Sequence, residues 1–309
     1  MSAIGFGAMR LSFPGRPPSE VALRVLHTAL DVGITLIDTA ISYCLDESEH
    51  GHNERLIAKA LKTWSGARDD IVIATKGGIS GGSGHGTRDA RPVQLREVCE
   101  RSLRALEVDC ITLYQLHAPD PRVAFADSLG ALADLQRAGK IRFVGLSNVS
   151  LEQLRSAEAT VRVVSVQNRL NPFSQDDARN GVLDYCQERG IGYLAYSPVG
   201  GLLHTELTWH GALLPIARRH EASPSAVVLA WLLSLAPNVI PIPSAEAEHQ
   251  VRDSLKAVDL TLGAEEVAAI SDVVFREQHP TLFERIKSRL GRNSVLRNVH
   301  RWLRGQPKS

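Results

Sequence analysis

The segment TLIDTAISY, residues 35–43, begins as a short apolar run and then places Asp38 and Tyr43 among small polar residues. A short apolar run bounded by turn residues is typical of a parallel strand that is buried on both faces. The polar side chains then lie where the strand passes into a loop. The segment therefore predicts a buried strand with a carboxylate and a phenol at its carboxyl end.

Two further segments repeat this arrangement. IVIATK ends on Lys76, and ITLYQLH ends on His117. In a barrel of parallel strands the carboxyl ends all lie at one face, so we expect Asp38, Tyr43, Lys76 and His117 to lie close together. A carboxylate, a phenol, an ammonium and an imidazole in one place would form a proton donor with a tuned acidity.

Short apolar runs alternate with amphipathic helical patterns over most of the 309 residues. Eight strands alternating with helices predict an α/β fold, a (β/α)8 TIM barrel in a single domain over residues 1–274 with a C-terminal extension. The predicted strands are Ile4–Gly7, Thr35–Asp38, Ile71–Lys76, Ile111–His117, Arg142–Ser147, Val163–Gln167, Gly192–Tyr196 and Val239–Pro241.

Local signals mark the helix ends. Val21–Asp31 and Leu95–Leu106 each place apolar residues on one helical face. Prolines 92 and 224 fall near predicted helix starts, and glycines 33, 139 and 190 follow predicted helix ends.

A doubly wound sheet is the alternative fold, but it would need a phosphate-binding fingerprint early in the chain. Gly5-Phe6-Gly7 lacks the third glycine of GxGxxG, and the glycine-rich stretch 77–86 does not open a helix. We therefore interpret that stretch as a loop beside Lys76. Residues 145–149 resemble a nucleophile elbow, but Val149 stands where glycine is needed.

Composition excludes several classes of protein. Apolar residues make up 44% of the chain, and the formal net charge of +1 gives no general case for nucleic-acid or membrane binding. The four cysteines have neither CxxC nor zinc spacing, and no apolar stretch is long enough for a membrane span. With no signal-peptide pattern, we expect a cytoplasmic protein with reduced thiols and no metal; the oligomeric state is left open.

Six segments, in order, resemble the aldo-keto reductase superfamily from about Ile4 to Leu262. They are IDTAISY, ATKGG, LYQLHAPDP, GKIRFVGLSNVS, VVSVQNRLNP and LAYSPVGGLL, which begin at residues 37, 74, 113, 139, 163 and 194. The resemblance implies a TIM barrel that reduces a carbonyl group with NADPH, or with NADH.

The residues support the same chemistry. Hydride transfer to a carbonyl builds negative charge on oxygen, and a neighbouring group must donate a proton there. A free tyrosine has a pKa near 10, and a nearby ammonium lowers it. We therefore assign Tyr43 as the general acid, Lys76 as the group that lowers its pKa, Asp38 as the anchor of Lys76 and His117 as a hydrogen-bond donor to the carbonyl oxygen.

The resemblance also implies a cofactor site at the ends of the later strands. Ser147, Asn148 and Gln167 would orient the nicotinamide carboxamide, and Tyr196 would offer a flat face to the ring. The segment Ser197–Leu203 would bind the pyrophosphate through exposed backbone N–H groups around Gly200 and Gly201. The residues assigned to the cofactor in this segment are Ser197, Pro198, Val199, Gly200 and Leu202. Ser147 and Asn148 could alternatively cap the helix that begins near Leu151.

The adenosine end departs from the family pattern. Where many reductases have a lysine and an arginine that bind the 2′-phosphate, this chain has Ser244 and Gln250. Asp253 and Ser254 align with residues that contact adenine in relatives. NADPH remains the expected cofactor, with a reduced preference over NADH.

Residues near the tetrad suggest features of the substrate pocket. Cys44 follows Tyr43 where relatives commonly have glycine, and it is either an inert packing residue or a thiolate favoured by Lys76. Ala118 is small and leaves space beside His117. Three aromatic residues from loops at this face, Phe13, Phe173 and Trp209, are candidates for the pocket wall.

The last segment, residues 275–309, is predicted to be a basic C-terminal extension. From Arg276 to Ser309 there are nine Lys or Arg residues and two Asp or Glu residues. Five of its apolar residues share one helical face, which favours a helix docked on the barrel or one that binds an anionic membrane or an acidic partner; a disordered tail is the third alternative.

We therefore predict a cytoplasmic oxidoreductase that reduces an aldehyde or ketone of a small molecule, with no nucleic-acid partner and no transmembrane segment. Two alternatives stay open. One is reduction of a C=N bond or a keto-sugar intermediate in specialised biosynthesis. The other is a redox-sensing, NADPH-binding ancillary subunit.

Overall fold

The computed structural model describes residues 1–82 and 86–273. Eight parallel strands follow one another round a single sheet in chain order. All eight lie where the sequence predicts them, with ends that differ by a few residues. Their bounds are β1 Phe6–Gly7, β2 Leu36–Asp38, β3 Val72–Gly77, β4 Ile111–Leu116, β5 Ile141–Ser147, β6 Val163–Arg169, β7 Gly192–Tyr196 and β8 Val239–Pro241.

Backbone hydrogen bonds close the sheet between its first and last strands. Gly5 N donates to Pro241 O and Gly7 N donates to Pro243 O, both at 2.9 Å. Closure leaves no free strand edge, which is the defining property of a barrel. The predicted (β/α)8 fold is confirmed.

Helices pack around the strands and begin and end at the predicted signals. Pro92 and Pro224 are each the first residue of a helix, and glycines 33, 139 and 190 have positive φ just beyond helix ends. The helices are α1 Ser19–Asp31, α2 His52–Thr63, α3 Pro92–Leu106, α4 Phe125–Arg137, α5 Leu151–Ala157, α6 Val182–Glu188, α7 His204–Thr208, α8 Leu213–Arg219, α9 Pro224–Leu235, α10 Glu248–Leu255 and α11 Ala264–Ser271.

Strand alternation divides the barrel interior into an apolar lower layer and a polar upper layer. Side chains two residues apart on a strand lie on the same face. If one residue of a strand faces the barrel axis, the residue two positions later also faces the axis and lies nearer the carboxyl end. Leu36, Ala74 and Leu113 belong to a buried apolar cluster with Leu194, Ile240 and Ile242. The residues two positions after Leu36, Ala74 and Leu113, on β2, β3 and β4, are Asp38, Lys76 and Gln115. The fold thus delivers these polar groups to the carboxyl ends of the strands.

The glycine-rich stretch after β3 contains a short antiparallel hairpin. Ile79–Ser80 pairs with Thr87–Arg88, and residues 83–85 between them lie outside the described residues. The stretch opens no helix, in agreement with the sequence interpretation. A Cβ on Gly82 would lie within 3 Å of the backbone of Leu45 and Asp46, so the hairpin approaches the loop that carries Tyr43 closely.

Across residues 1–82 and 86–273, no helix combines the length and the apolar character that crossing a membrane requires. The predicted basic extension at residues 275–309 lies outside the described part of the chain.

Barrel closure generates a prediction at Gly7. A Cβ there would lie 2.7 Å from Ile242 O, which is backbone of the closing segment and cannot rotate away. Gly7→Ala should lower the free energy of unfolding by about 1–3 kcal/mol, the usual range for overpacking, as measured by urea denaturation.

Gly130→Ala is the matched control, because a Cβ at this position in α4 has no neighbour within 4 Å. It should leave stability unchanged or raise it by about 0.5–1 kcal/mol, since alanine favours a helix over glycine. Equal effects of the two substitutions would contradict this account of the closure.

Candidate active site

A buried ion pair lies at the carboxyl end of the barrel. Lys76 Nζ donates to Asp38 Oδ2 at 2.6 Å, to Thr39 O at 2.8 Å and to Tyr43 Oη at 3.0 Å. The exposed fractions of Lys76 and Asp38 are 0% and 2%. A buried ammonium is costly unless its N–H groups are bonded, and here three acceptors satisfy all three.

The second oxygen of Asp38 is held by amide groups from β4 and β6, two strands that are not adjacent to β2 in the sheet. Gln167 Nε2 donates to Asp38 Oδ1 at 2.6 Å, and Gln115 Nε2 approaches the same oxygen at 3.4 Å. Gln167 was predicted as a nicotinamide contact, and in this structure its amide N–H fixes the carboxylate. Gln115 was not singled out from the sequence, although its place two residues before His117 puts it on the same strand face.

Aromatic rings enclose the phenol. The centroids of the Tyr43 and His117 rings are 6.0 Å apart with an interplanar angle of 80°. Phe13, predicted as a pocket residue, meets Tyr43 edge to face at 5.7 Å. The structure therefore brings all four predicted tetrad residues together, with one aromatic wall beside the phenol.

The pKa of Tyr43 differs from the sequence expectation. Burial raises the pKa of Tyr43 above 10, and this outweighs the opposing effect of the Lys76 ammonium. Burial also lowers the pKa of Lys76, but Asp38 and Tyr43 together raise it above its usual value. The prediction of a net lowered tyrosine pKa is wrong, because it counted the charged neighbour and left out the loss of water.

His117 is held in its neutral form. Burial, reinforced by the Lys76 ammonium, places the pKa of His117 well below 6.5. His117 Nδ1 is buried and has no hydrogen-bond partner among the described residues. A neutral imidazole carries one N–H donor, so this ring can still donate to an oxygen brought into the site.

Cys44 is an inert packing residue in this structure. Its side chain is fully buried, and burial raises the pKa of the thiol to about 11. The nearby carboxylate of Glu49 adds to the shift. The alternative of a thiolate favoured by Lys76 is therefore wrong, because desolvation and acidic neighbours decide the protonation state.

Helix α2 supplies a polar support behind the tetrad that the sequence reasoning missed. Thr39 Oγ1 donates to Asn53 Oδ1 at 2.6 Å, and Asn53 Nδ2 donates to Ala8 O and to Ser12 Oγ. Asn53 is fully buried. Asn53 thereby connects the loop after β1, which leads to Phe13, with Thr39. The backbone carbonyl of Thr39 accepts a hydrogen bond from Lys76.

Asn148 links three strand ends beside the tetrad. Its Nδ2 donates to His117 O at 2.9 Å and to Ser147 Oγ at 3.0 Å, while Tyr196 Oη donates to its Oδ1 at 2.8 Å. Asn148 has a φ of 58°, a left-handed conformation that costs a non-glycine residue about 1–3 kcal/mol. The alternative role of Ser147 and Asn148 as helix caps is wrong, because Ser150 caps α5 with a complete capping box.

The loop after β7 has the tight backbone expected of an anion-binding segment. Ser197 and Gly200 both have positive φ, and Gly200 N donates to Ser197 O. Pro198 and Val199 lie between them, and Leu202 follows with 74% exposure. Backbone turns with positive φ form the concavities in which proteins commonly bind phosphate, and this is the turn that the sequence assigns to the pyrophosphate.

At the predicted adenosine end the side chains already have protein partners. Gln250 Oε1 accepts from Glu246 N and Ala247 N and so caps α10. Ser244 Oγ lies close to Gly7. Asp253 Oδ2 accepts from Ser223 Oγ at 2.5 Å, and Ser254 Oγ donates to Gln250 O.

Acidic residues that the sequence reasoning passed over also lie in this segment. Glu246 pairs with Arg10 at 2.6 Å, and Glu248 pairs with Arg24 at 3.5 Å. The segment therefore brings two carboxylates to the position where many family members present basic side chains.

The remaining predicted pocket residues lie at the same end of the barrel. Phe173 meets the His210 ring edge to face at 6.2 Å. Trp209 directly follows α7 and is 73% exposed, and Ala118 is buried next to His117. Among residues 1–82 and 86–273, no group of three or more His, Cys, Asp or Glu side chains could hold a metal ion.

Comparison with known proteins identifies the family. The aldo/keto reductase family model matches residues 3–274. The chain belongs to the aldo-keto reductase family. Aldo-keto reductase str7 of Strobilurus tenacellus is 32% identical over 317 residues, covering 91% of each chain.

Two solved structures show the same likeness. A thermostable aldo-keto reductase, Tm1743, in complex with the inhibitor epalrestat is 31% identical, with a TM-score of 0.74 and coverage of 88% of this chain and 94% of that one. An aldo/keto reductase from Klebsiella pneumoniae in complex with NADP and acetate is 25% identical, with a TM-score of 0.74 and coverage of 90% and 93%.

Aldo-keto reductases are oxidoreductases that act on carbonyl groups with nicotinamide cofactors. The donors and acceptors of this aldo-keto reductase fit such a group. A carboxamide needs partners for both its oxygen and its N–H groups, and the hydroxyl of Ser147 and the amides of Asn148 and Gln167 are of both kinds and lie at the adjacent ends of β5 and β6. In this structure Asn148 Nδ2 and Gln167 Nε2 also donate within the protein. The buried His117 Nδ1 has no hydrogen-bond partner among the described residues, so this ring retains hydrogen-bonding capacity.

Glu54 is a buried acid beside the tetrad that no predicted role uses. Thr75 Oγ1, from the residue before Lys76, donates to Glu54 Oε1 at 2.6 Å. Burial raises the pKa of Glu54 to about 7, against the opposing influence of Thr75, Arg55 and Lys76. The folded protein therefore retains this proton at a pH where the unfolded chain, with a carboxyl pKa of 4.5, has lost it.

Retention of this proton sets a pH dependence of stability. The pKa of Glu54 is raised on folding. Its contribution to the free energy of unfolding is therefore fully present below pH 4.5 and is lost as the pH rises through about 7. At 1.36 kcal/mol per pKa unit the loss is on the order of 3 kcal/mol. Glu54→Gln, which preserves an acceptor for Thr75, should flatten the fall in unfolding free energy between pH 5 and about 8, as measured by urea denaturation at each pH.

Glu188→Gln, at an exposed carboxyl in α6, is the control and should leave the wild-type pH profile unchanged. A Glu54→Gln profile that parallels the wild type would show that Glu54 is ionised in the folded protein throughout this range.

Proposed function

We propose that this chain is an NADPH-dependent reductase of aldehydes or ketones in which Tyr43 donates the proton. The observation that carries the proposal is the contact of Lys76 Nζ with both Asp38 and Tyr43 Oη, beside the ring of His117. The bound reduced nicotinamide would supply hydride to the carbonyl carbon.

Tyr43 holds its proton until a substrate accepts it. Its raised pKa keeps the phenol protonated at neutral pH. Loss of the proton to a substrate oxygen creates a phenolate 3.0 Å from Lys76 Nζ, where opposite charge stabilises it. The proton would move from Tyr43 Oη to the oxygen, which gains the electron pair of the C=O π bond when hydride adds to the carbon.

Lys76 and His117 provide the electrostatic setting for this transfer. Asp38 fixes the ammonium, so its charge is already in place when negative charge develops on the phenol oxygen. The neutral His117 imidazole can donate to the carbonyl oxygen and orient it toward Tyr43. Phe13 covers one side of the phenol and limits access of water.

NADPH is proposed as the cofactor because the Klebsiella pneumoniae relative is in complex with NADP. Ser244 and Gln250 carry no charge, and Glu246 and Glu248 add acidic side chains nearby. We therefore propose only a modest preference for NADPH over NADH.

The first prediction for this function concerns Tyr43. Tyr43→Phe keeps the ring that packs on Phe13 and His117 but removes the proton, so kcat should fall by about 10²–10⁴ with the NADPH dissociation constant unchanged. The measurement is NADPH oxidation with a panel of aldehydes, ketones and imines, together with cofactor titration by fluorescence.

Tyr185→Phe is a matched substitution in α6, away from the tetrad, and should retain wild-type turnover. Retained turnover in Tyr43→Phe would assign the proton to another group. NADPH binding by the wild type without turnover of any compound in the panel would support the ancillary-subunit alternative.

The second prediction concerns cofactor preference. The wild type should prefer NADPH over NADH in kcat/KM by less than about a thousandfold, the equivalent of 4.1 kcal/mol. Ser244→Lys adds a cation at the proposed 2′-phosphate position, so it should raise kcat/KM for NADPH about tenfold and leave that for NADH unchanged. Equal effects on both cofactors would place the 2′-phosphate elsewhere.

A further inference from the structure

Asn168 follows Gln167 on β6 and points to the opposite face of the strand, toward the loop that carries Asn148. Its side chain bonds both backbone groups of Val149. Val149 N donates to Asn168 Oδ1 at 3.1 Å, and Asn168 Nδ2 donates to Val149 O at 2.8 Å. One amide thus fixes the peptide groups on either side of Val149, directly after the left-handed residue Asn148.

A buried carboxylate holds Asn168 in turn. Asn168 Nδ2 also donates to Asp177 Oδ2 at 2.6 Å, and Tyr193 Oη donates to the same oxygen at 2.8 Å. Asn180 Nδ2 donates to the other oxygen at 3.2 Å. The exposed fractions of Asn168, Asp177 and Tyr193 are 7%, 9% and 0%, so no water replaces these partners at low cost.

We propose that Asn168, supported by Asp177 and Tyr193, is a positioning residue that holds Asn148 in the conformation in which it meets the cofactor carboxamide. The proposal rests on the proposed function, which assigns Asn148 to that contact. Asparagine adopts a left-handed φ more readily than other non-glycine residues, but the conformation is still less favourable for it than for glycine. Hydrogen bonds from neighbouring groups therefore help to hold it, and the two bonds to Val149 act on the residue directly after Asn148.

The test is Asn168→Asp, which keeps the size of the side chain and the acceptor for Val149 N but removes the donor to Val149 O. The probes are NADPH and 2′-phospho-ADP-ribose, which has the adenosine half of the cofactor and no nicotinamide. The dissociation constant for NADPH should rise about tenfold, the effect of one lost buried hydrogen bond. The dissociation constant for 2′-phospho-ADP-ribose should stay within a factor of about two of wild type.

The double variant Asn168→Asp with Asp177→Asn separates positioning from folding. The single variant Asn168→Asp places two carboxylates side by side, so its melting temperature should fall. The double variant again pairs one amide with one carboxylate, so its melting temperature should return toward that of the wild type. Val149 O still has no donor, so weak NADPH binding should persist. Recovery of NADPH affinity together with melting temperature would overturn the positioning role.

Asn238→Asp is the matched control. Asn238 Nδ2 donates to Ile191 O at 2.8 Å, and the residue precedes β8 at the end of the barrel opposite the tetrad. This variant should lower the melting temperature and leave NADPH affinity unchanged.

The outcomes separate the two proposals. Wild-type protein that binds no NADPH contradicts the proposed function and this role together. If the wild type and the Asn168→Asp variant bind NADPH equally well, only the role of Asn168 is contradicted. Equal weakening for NADPH and 2′-phospho-ADP-ribose also overturns it, because a general loosening of the site would affect both halves of the cofactor.

Discussion

The ion pair of Lys76 and Asp38 is the interaction around which the upper layer of the barrel is arranged. Removing both charges from water is expensive, and their mutual attraction offsets that cost only when the remaining lone pairs and protons are also bonded. Here the ammonium has three acceptors, and the carboxylate oxygen that faces away from it accepts from Gln167. Tyr43 and Gln167 therefore have two roles. They complete the hydrogen bonding of the Lys76–Asp38 ion pair, and they are also residues of the candidate active site.

Two buried polar networks extend this arrangement outward. On one side Asn53 joins the loops after β1 and β2 through Thr39, Ala8 and Ser12. On the other side Asn168 joins the loops after β5 and β6 through Val149 and Asp177. In both places an asparagine bonds backbone groups of a loop, and loops are the least constrained parts of a barrel. The rigid strands position the tetrad, while these amides position the segments that surround it.

Burial changes the chemistry expected from the residue types. Asp38, Tyr43, Lys76 and His117 are recognisable along the chain because each follows an apolar run. The pKa of Tyr43 is shifted upward because the ring is removed from water. How completely it is removed depends on Phe13, His117 and the strand ends around it. The same holds for Cys44, where acidic neighbours and burial keep the thiol protonated. The raised pKa keeps the proton on Tyr43 in the absence of substrate, and the fixed ammonium of Lys76 stabilises the phenolate once it forms. Such a tyrosine is suited to releasing its proton only to a developing oxyanion.

The amino-acid pattern along the chain predicts the eight strands, the helix start at Pro92, the helix end before Gly139, the barrel fold and the convergence of the four tetrad residues. These are readable because strand burial and caps leave short-range signals, and because the carboxyl ends of parallel strands must converge. The three-dimensional structure was needed to identify the partners of Gln167, Gln115 and Gln250, the support from Asn53 and Asn168, and the buried acid Glu54. A polar side chain gives no sign along the chain of which distant group it will meet, since that depends on strand register and on how much water the packed loops exclude.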